Sequence, residues 1–348
     1  MTTEHERVRE LLADWAAGAL PPSDEKTVPS HLAGCESCAA EAERLRRTVR
    51  PPGGPDGAGD GPPGPGAVPH TAGGARPTAS RTPPAAAPVA AHAAPYAAAV
   101  AALRPLLREA DTAGSWRTPV VHGWDVHATV AHLIAADEPL ALRLGLAARV
   151  PPSRTVTGEG AGWREEWGAR TAEVIAYERA RAPRETVAAW AEQAADLLAT
   201  REAREPEPAA QCTTLMGVRL PVADHFLVRA FETWIHGADI GRALGLAVPP
   251  PPEPHLWQLV RLAVRILGTA LGPQAAPVLF TVTGRGGDTE WVLGSEDEPV
   301  RAELVLDPVD LCLLVGGRST PEEVPRGATG DSTAVRAVLD RAASLAWL

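Results

Sequence analysis

Between residues 51 and 95 this chain has almost nothing with which to build a core: 33 of the 45 positions are Pro, Gly or Ala, and only four carry a formal charge. Such a stretch buries too little to offset its conformational entropy. Its prolines also interrupt helix and sheet, so a disordered, partly polyproline linker is expected. The folded parts must then lie on either side, in a small unit over residues 1–50 and a larger remainder over residues 96–348.

Hydrophobic content of 45% is enough for a real core. Lys26 is the single lysine among 33 basic residues, and Ala, Pro, Gly and Arg dominate, as in proteins of GC-rich genomes. The net charge of −10 and the lack of a basic cluster argue against direct nucleic-acid binding, which needs a concentrated positive face. No apolar run approaches the roughly 20 residues of a membrane helix. The charged start, Met1 to Glu10, is unlike a secretory signal. A cytoplasmic protein is therefore expected. Its four Cys are better suited to metal ligation or to free thiols than to a disulfide framework.

The N-terminal unit is expected to be helical. Val8, Leu11, Leu12 and Trp15 recur at one-face spacing, and Glu43 and Arg47 form an i,i+4 pair in a second run, Ala39 to Val49. Beyond the linker, helices are expected over Tyr96–Ala110, Asp125 to about Ala148, Trp163–Arg181, Arg184–Glu202, Pro221–Gly245 and His255–Leu271. The period then changes. Val278–Thr283, Glu290–Leu293 and Ala302–Leu306 are short, β-rich and bounded by turns, and helices over Val309–Val315 and Thr333–Leu345 close the chain. The predicted fold class is mainly α: a small helical unit at 1–50, the linker at 51–95, a helical bundle at 96–248 and a small α+β domain at 249–348.

Two sets of residues carry metal chemistry. His31, Cys35 and Cys38 form an H-x3-C-x2-C run. Two Cys separated by two residues can chelate one ion from a turn, and a His four residues earlier can join from the end of a helix. A closed tetrahedral zinc site would stabilise a unit too small for a core of its own. The fourth ligand must come from elsewhere, and His5 is the only other His or Cys before residue 70. In the remainder, Glu232 and His236 lie at i,i+4 within one predicted helix and so share a face. His132 sits in an apolar stretch of another. Together they offer three ligands and an open position, the pattern of a catalytic rather than a structural ion. By spacing alone, a buried core histidine and a surface Glu–His pair fit as well.

Both sets resemble known families. The segment around His31-Leu32-Ala33-Gly34-Cys35-Glu36-Ser37-Cys38, with His5 upstream and an amphipathic run after it, resembles the anti-sigma-type zinc finger. The resemblance covers residues 1–50 and implies structural zinc on His5, His31, Cys35 and Cys38, with a sigma factor as partner. The unit stops near Val49, however, without the further helix with which such proteins grip a sigma factor. Gly123-Trp124-Asp125-Val126 and Thr129 to Leu133, followed about 100 residues later by Arg229 to Ile240, resemble the metal-binding helices of the mycothiol-dependent maleylpyruvate isomerases. That resemblance spans about 96–346. It implies a DinB-like four-helix bundle, a sterol-carrier-like C-terminal domain and a divalent ion, zinc by preference, on His132, Glu232 and His236. Mycothiol, the low-molecular-weight thiol of actinobacteria, is the implied cosubstrate. In those isomerases its thiolate adds to a conjugated double bond, allows rotation and leaves; relatives transfer the thiol to other small electrophiles. Leu313 to Arg318 resembles the family's apolar helix ending in Gly-Arg, which makes Arg318 the candidate catalytic arginine. The expected function is thus a thiol-adding or thiol-transferring enzyme with a structural or redox-responsive zinc finger. The alternative is an anti-sigma-like redox regulator with a non-catalytic bundle.

Other residues have lesser expected roles. Asp239, three residues after His236, can orient it, or can form a plain ion pair. His225 shares the Glu232 face two turns away, lining a pocket entrance or exposed. His122 and His127 are expected at the surface, and Cys212 and Cys312 as buried thiols.

Overall fold

In the computed structural model the described residues are His5, Arg7, Val8, Leu11, Val28, His31, Cys35 and Cys38, then 88–151, 162–284, 287–295 and 297–345. Of the linker expected over 51–95, residues 51–87 lie outside them, as do the Ala39–Val49 run, Leu12 and Trp15; its last residues, 88–95, belong to the folded second unit. Two compact units, Met1–Arg81 and Thr82–Leu348, are each described by itself.

In the first unit His5, Arg7, Val8 and Leu11 are helical, as are Val28, His31 and Cys38, while Cys35 sits in a break between helical residues. Val8, Val28 and Cys38 are buried.

The second unit is mainly helical with a small C-terminal sheet. Its bundle consists of α1 (Ala94–Thr112), α2 (Val126–Arg143), α3 (Trp163–Arg179), α4 (Pro183–Ala199) and α5 (Val222–Leu244). α5 is buried nearly all round and forms the central post, packed against α1 and α2, while α2 also contacts α3 and α4. Local chemistry sets the helix ends. The Asp125 carboxylate accepts from the Ala128 N–H at the start of α2. Gly245, at φ +70, ends α5 in the left-handed region. Chain before α1 is already packed: Ala93 is buried and the Ala90 N–H reaches Ala203 O.

One element absent from the sequence expectations is a hairpin, β1 (Cys212–Leu215) with β2 (Val218–Pro221), turned by Met216 and Gly217 at φ 51 and 76. Two consecutive left-handed residues are what a two-residue hairpin turn demands. The alternation in this segment is too short to stand out against its polar neighbours.

Beyond α5 comes α6 (Glu253–Leu271), then β3 (Val278–Val282), β4 (Thr289–Leu293), β5 (Ala302–Leu306), α7 (Pro308–Val315), β6 (Gly327–Gly330) and α8 (Ser332–Ala343). The sheet order is β4-β3-β5-β6, with β3 and β5 parallel and both outer pairs antiparallel. β6, the second unexpected element, is a fully exposed Gly-Ala-Thr-Gly strand with no hydrophobic signal. Among the described residues no helix is long and apolar enough to cross a membrane.

Candidate metal centres

α2 brings His132, and α5 brings Glu232 and His236, to one point inside the bundle. Their ligand atoms lie within 4.8 Å of one another. Glu232 Oε2 is 3.3 Å from His236 Nε2 and 3.6 Å from His132 Nε2. The three side chains are 3, 1 and 0% exposed in the order His132, Glu232, His236.

Five atoms here, both nitrogens of His132, both oxygens of Glu232 and Nε2 of His236, are buried without a hydrogen-bond partner. A buried unpartnered polar group costs roughly 1–3 kcal/mol. Five would cost about as much as the whole net stability of a domain, 5–15 kcal/mol. A cation on His132 Nε2, His236 Nε2 and the Glu232 carboxylate would remove most of that cost. An ion with bonds of about 2.0–2.1 Å in tetrahedral geometry spaces nitrogen and oxygen ligands about 3.3–3.4 Å apart, close to the separations seen. The residues fit a divalent ion on two imidazoles and one carboxylate.

Charge follows the same logic. Burial pushes the His132 imidazole down to about 4, so it is neutral and able to ligate at neutral pH. Burial alone would raise the Glu232 carboxyl, but the two imidazoles outweigh it and hold the group well below the usual range. For His236 burial opposes the charged form, and Asp239 and Glu232 overcome it. This cluster favours a positive charge at its centre, as a proton or as a metal.

Around it stands a supporting layer. Asp239 Oδ2 lies 3.4 Å from His236 Nδ1, the far side of that ring. Arg318 donates to Asp239 Oδ2 from Nε at 3.1 Å and from Nη2 at 2.6 Å, to Asp239 Oδ1 from Nε at 3.3 Å, and also to Gly316 O. Burial would raise the Asp239 carboxyl, but His236 and Arg318 outweigh it and bring it to about 2. Arg318 arrives by local geometry. After α7 the Arg318 N–H bonds Leu313 O and the Gly317 N–H bonds Leu314 O, a Schellman ending with Gly317 at φ +67. Gly316 lets that ending approach α5: a Cβ there would stand 3.3 Å from both Phe231 and Ile235. Buried at 5% exposure, Arg318 is a clamp on the Asp239–His236 pair.

Above the cluster the Trp124 ring lies 4.6 Å from His132 and 6.2 Å from His236, and Trp167 of α3 meets His132 edge-on at 6.0 Å. A surface hollow of about 590 Å³ lies between α1, α5 and Pro249–Pro252, but it touches none of the three side chains.

The N-terminal set also converges, with ligand atoms of His5, His31, Cys35 and Cys38 within 4.8 Å of one another. His5 Nδ1 is 3.2 Å from His31 Nε2 and 3.7 Å from each Cys sulfur. Zinc–sulfur bonds of about 2.3 Å give nitrogen–sulfur edges of about 3.6 Å in a tetrahedron. The cluster has the dimensions of a closed Cys2His2 site.

Several sequence expectations need correction. His127 is not a surface group: it is buried and bonds Thr186 Oγ1 at 2.8 Å, and Thr186 in turn donates to Glu178 at 2.8 Å, tying α2 to α3 and α4. His225 is not exposed; it lies buried beneath the hairpin with Nε2 3.2 Å from Thr213 O. Cys212 is exposed on that hairpin, whereas Cys312 is buried, as expected. Sequence reasoning quoted Trp124 only as part of a resemblance, and passed over Trp167 and the buried Tyr96–Asp137 pair (2.6 Å). No spacing rule marks such residues, because each comes from a different element.

Comparison with known proteins bears on these centres. Residues 96–241 match the model of the family described as "Mycothiol maleylpyruvate isomerase N-terminal domain". The chain carries a mycothiol maleylpyruvate isomerase N-terminal domain. All three central residues fall within this isomerase-type domain, whereas Arg318 falls beyond it. Residues 6–39 match the family described as "Putative zinc-finger", a span that includes His31, Cys35 and Cys38 and begins one residue after His5. An uncharacterized protein of Mycobacterium tuberculosis, found in strains CDC 1551 and H37Rv, is 29% identical over 229 residues, covering 63% of this chain and 82% of its own length. Two crystal structures of mycothiol-dependent maleylpyruvate isomerase, one of them a His-to-Ala mutant, are 16% and 18% identical, with TM-scores of 0.46 and 0.45. Each match covers 70% of this chain and 95% of the other.

Proposed function

We propose that residues 96–348 form a metal-dependent enzyme that adds or transfers a low-molecular-weight thiol, mycothiol, to a small electrophile, and that a zinc finger at 1–50 accompanies it. His132, Glu232 and His236 hold the divalent ion, zinc by preference. The observation that carries this reading is the convergence of three buried side chains whose facing atoms have no hydrogen-bond partner. The isomerase-type domain match supports the thiol. When bound, the ion supplies a Lewis acid that lowers the pKa of a thiol at the position the three ligands leave open. The chain's own residues do the rest. Asp239 holds His236 by its outer nitrogen, as carboxylates behind metal-ligating imidazoles do, and Arg318 neutralises Asp239. The Trp124 and Trp167 rings keep water from the cluster. Arg318 was the candidate for substrate binding. Its contacts favour a positioning role.

Metal analysis is the direct test. The intact chain should hold two ions, Cys35→Ser one, and His132→Ala one. A single ion or none in the unaltered chain overturns the two-centre reading. Turnover of mycothiol with a bimane electrophile by the metal-loaded chain would establish the enzyme.

The second reading, an anti-sigma-like redox regulator, draws on the zinc-finger match and the Cys35–Cys38 pair. An oxidant such as hydrogen peroxide would take two electrons from the two thiolates, join them as a disulfide and release the ion. Co-purification of a sigma factor, lost on oxidation, with no thiol turnover by the metal-loaded chain, would favour it.

A further inference from the structure

A site that works on a thiol from solution has to open, and in this structure it is closed: His132, Glu232 and His236 are at most 3% exposed. Most of its walls are poorly suited to moving. The ligands stand on two long packed helices, and Arg318 is locked to Asp239 and to its own helix end. Trp124 is held differently. It follows a tight reversal at His122 and Gly123, both left-handed at φ 53 and 75. That reversal is closed by its own hydrogen bonds, Trp124 N–H to Val121 O and Val120 N–H to Trp124 O. It joins the body through the Pro119–Asp125 bridge, the Asp125 cap and the Val126 N–H to Thr118 O. The tip residues His122 and Gly123 are exposed. The indole packs on a small satellite cluster, Ala128, Ala131 and Ile175, set apart from the main core. Segments with few buried contacts and self-contained hydrogen bonds lie at the low-stability end of a fold.

We propose that Trp124 is the access-determining residue of the central site. Its indole is a lid over the two imidazoles, carried on the His122–Gly123 turn. The lid swings off to admit a ligand and closes over it to keep water out. Such a lid selects ligands with a slim reacting arm, such as a primary thiol on a flexible chain, over bulky secondary or tertiary thiols. The proposal rests on the metal-site reading, but its test does not depend on it.

Three full-length proteins would be compared with the unaltered chain: Trp124→Ala, Trp124→Phe and Gly123→Ala. The last leaves the ring in place. An added Cβ has free space there, so it strains only the left-handed backbone. Two rates are read: removal of the central ion by 1,10-phenanthroline, with Cys35→Ser identifying the phase that belongs to the N-terminal ion, and carbethoxylation of His132 in metal-free protein, located by peptide mass. We expect Trp124→Ala to raise both rates at least tenfold, Gly123→Ala to raise them less, and Trp124→Phe to stay near the unaltered values. If folded Trp124→Ala and Gly123→Ala react within twofold of the unaltered chain, Trp124 is not the lid. If the unaltered chain binds no central ion, the metal reading fails and the carbethoxylation rates still decide the lid.

Discussion

The chain's two ligand clusters solve the same problem in opposite ways. The N-terminal set draws three of its four candidate ligands from eight consecutive residues, includes two sulfurs, and would close a tetrahedron around one ion. The central set draws one candidate ligand from α2 and two from α5, uses nitrogen and oxygen alone, and would leave a position open on an ion held inside a buried core. At the first, the ion would make the fold; at the second, the fold makes the site.

Oxidation should separate the two most sharply. Mild peroxide should release the N-terminal ion stoichiometrically and leave the central one in place, because only the former is held by sulfur. Loss of both ions together, measured by metal analysis after gel filtration, would break the comparison.

Next in size is the supporting layer around the central site. Asp239→Asn should weaken central metal affinity about 10–100-fold, the usual cost of removing a carboxylate behind a ligand imidazole. The N-terminal ion should be untouched. Competition titration with a chromophoric chelator reads both, and an unchanged central affinity would mean that the Asp239–Arg318 pair is only a structural ion pair.

The buried interior that makes the central site should also show in stability. Burial raises the Asp137 carboxyl from 3.8 to about 7, against the opposing pull of Arg229 and Tyr96. The folded state thus holds a proton that the unfolded state releases near pH 4. The stability linked to this group is fully present below about pH 4 and is lost as pH rises towards about 7, by up to about 1.4 kcal/mol per pH unit. Asp137→Asn should flatten that slope in denaturation curves between pH 4 and 7; an unchanged slope would place its origin elsewhere.

The smallest effect concerns the two cysteines outside both clusters. Cys212 is exposed, while burial pushes the Cys312 thiol up to about 12. Native labelling with iodoacetamide at pH 8 should modify Cys212 and spare Cys312, and mapping the labelled peptides checks it. A labelled Cys312 would show that the core around α7 opens more readily than its burial implies.

What was legible from the sequence follows from how local each feature is. His31, Cys35 and Cys38 can chelate one ion because a short loop closes at little entropic cost, so their spacing alone announces the chemistry. Glu232 and His236 share a face because a helix repeats every 3.6 residues. The Gly316-Gly317-Arg318 ending was legible only as a motif, although its Schellman bonds are local. The helices and strands between Ala94 and Ala343 largely follow the expected periodicity, and helix ends fell where Asp125 and Gly245 stand. The Met216-Gly217 hairpin and the bare β6 strand were missed, since a four-residue strand carries too few alternating side chains to rise above its surroundings.

By itself, then, the sequence determined the Pro/Gly/Ala composition of residues 51–95, the close spacing of Cys35 and Cys38 and the paired face of α5, because each depends only on neighbours along the chain. Tertiary packing decided the rest. It brought His132 to a pair 100 residues away, seated Arg318 on Asp239, laid Trp124 over both imidazoles, and buried His127 and His225, which spacing had left at the surface. The physical reason is that burial and contact between helices depend on which faces meet, and no periodicity within one helix specifies the face of another.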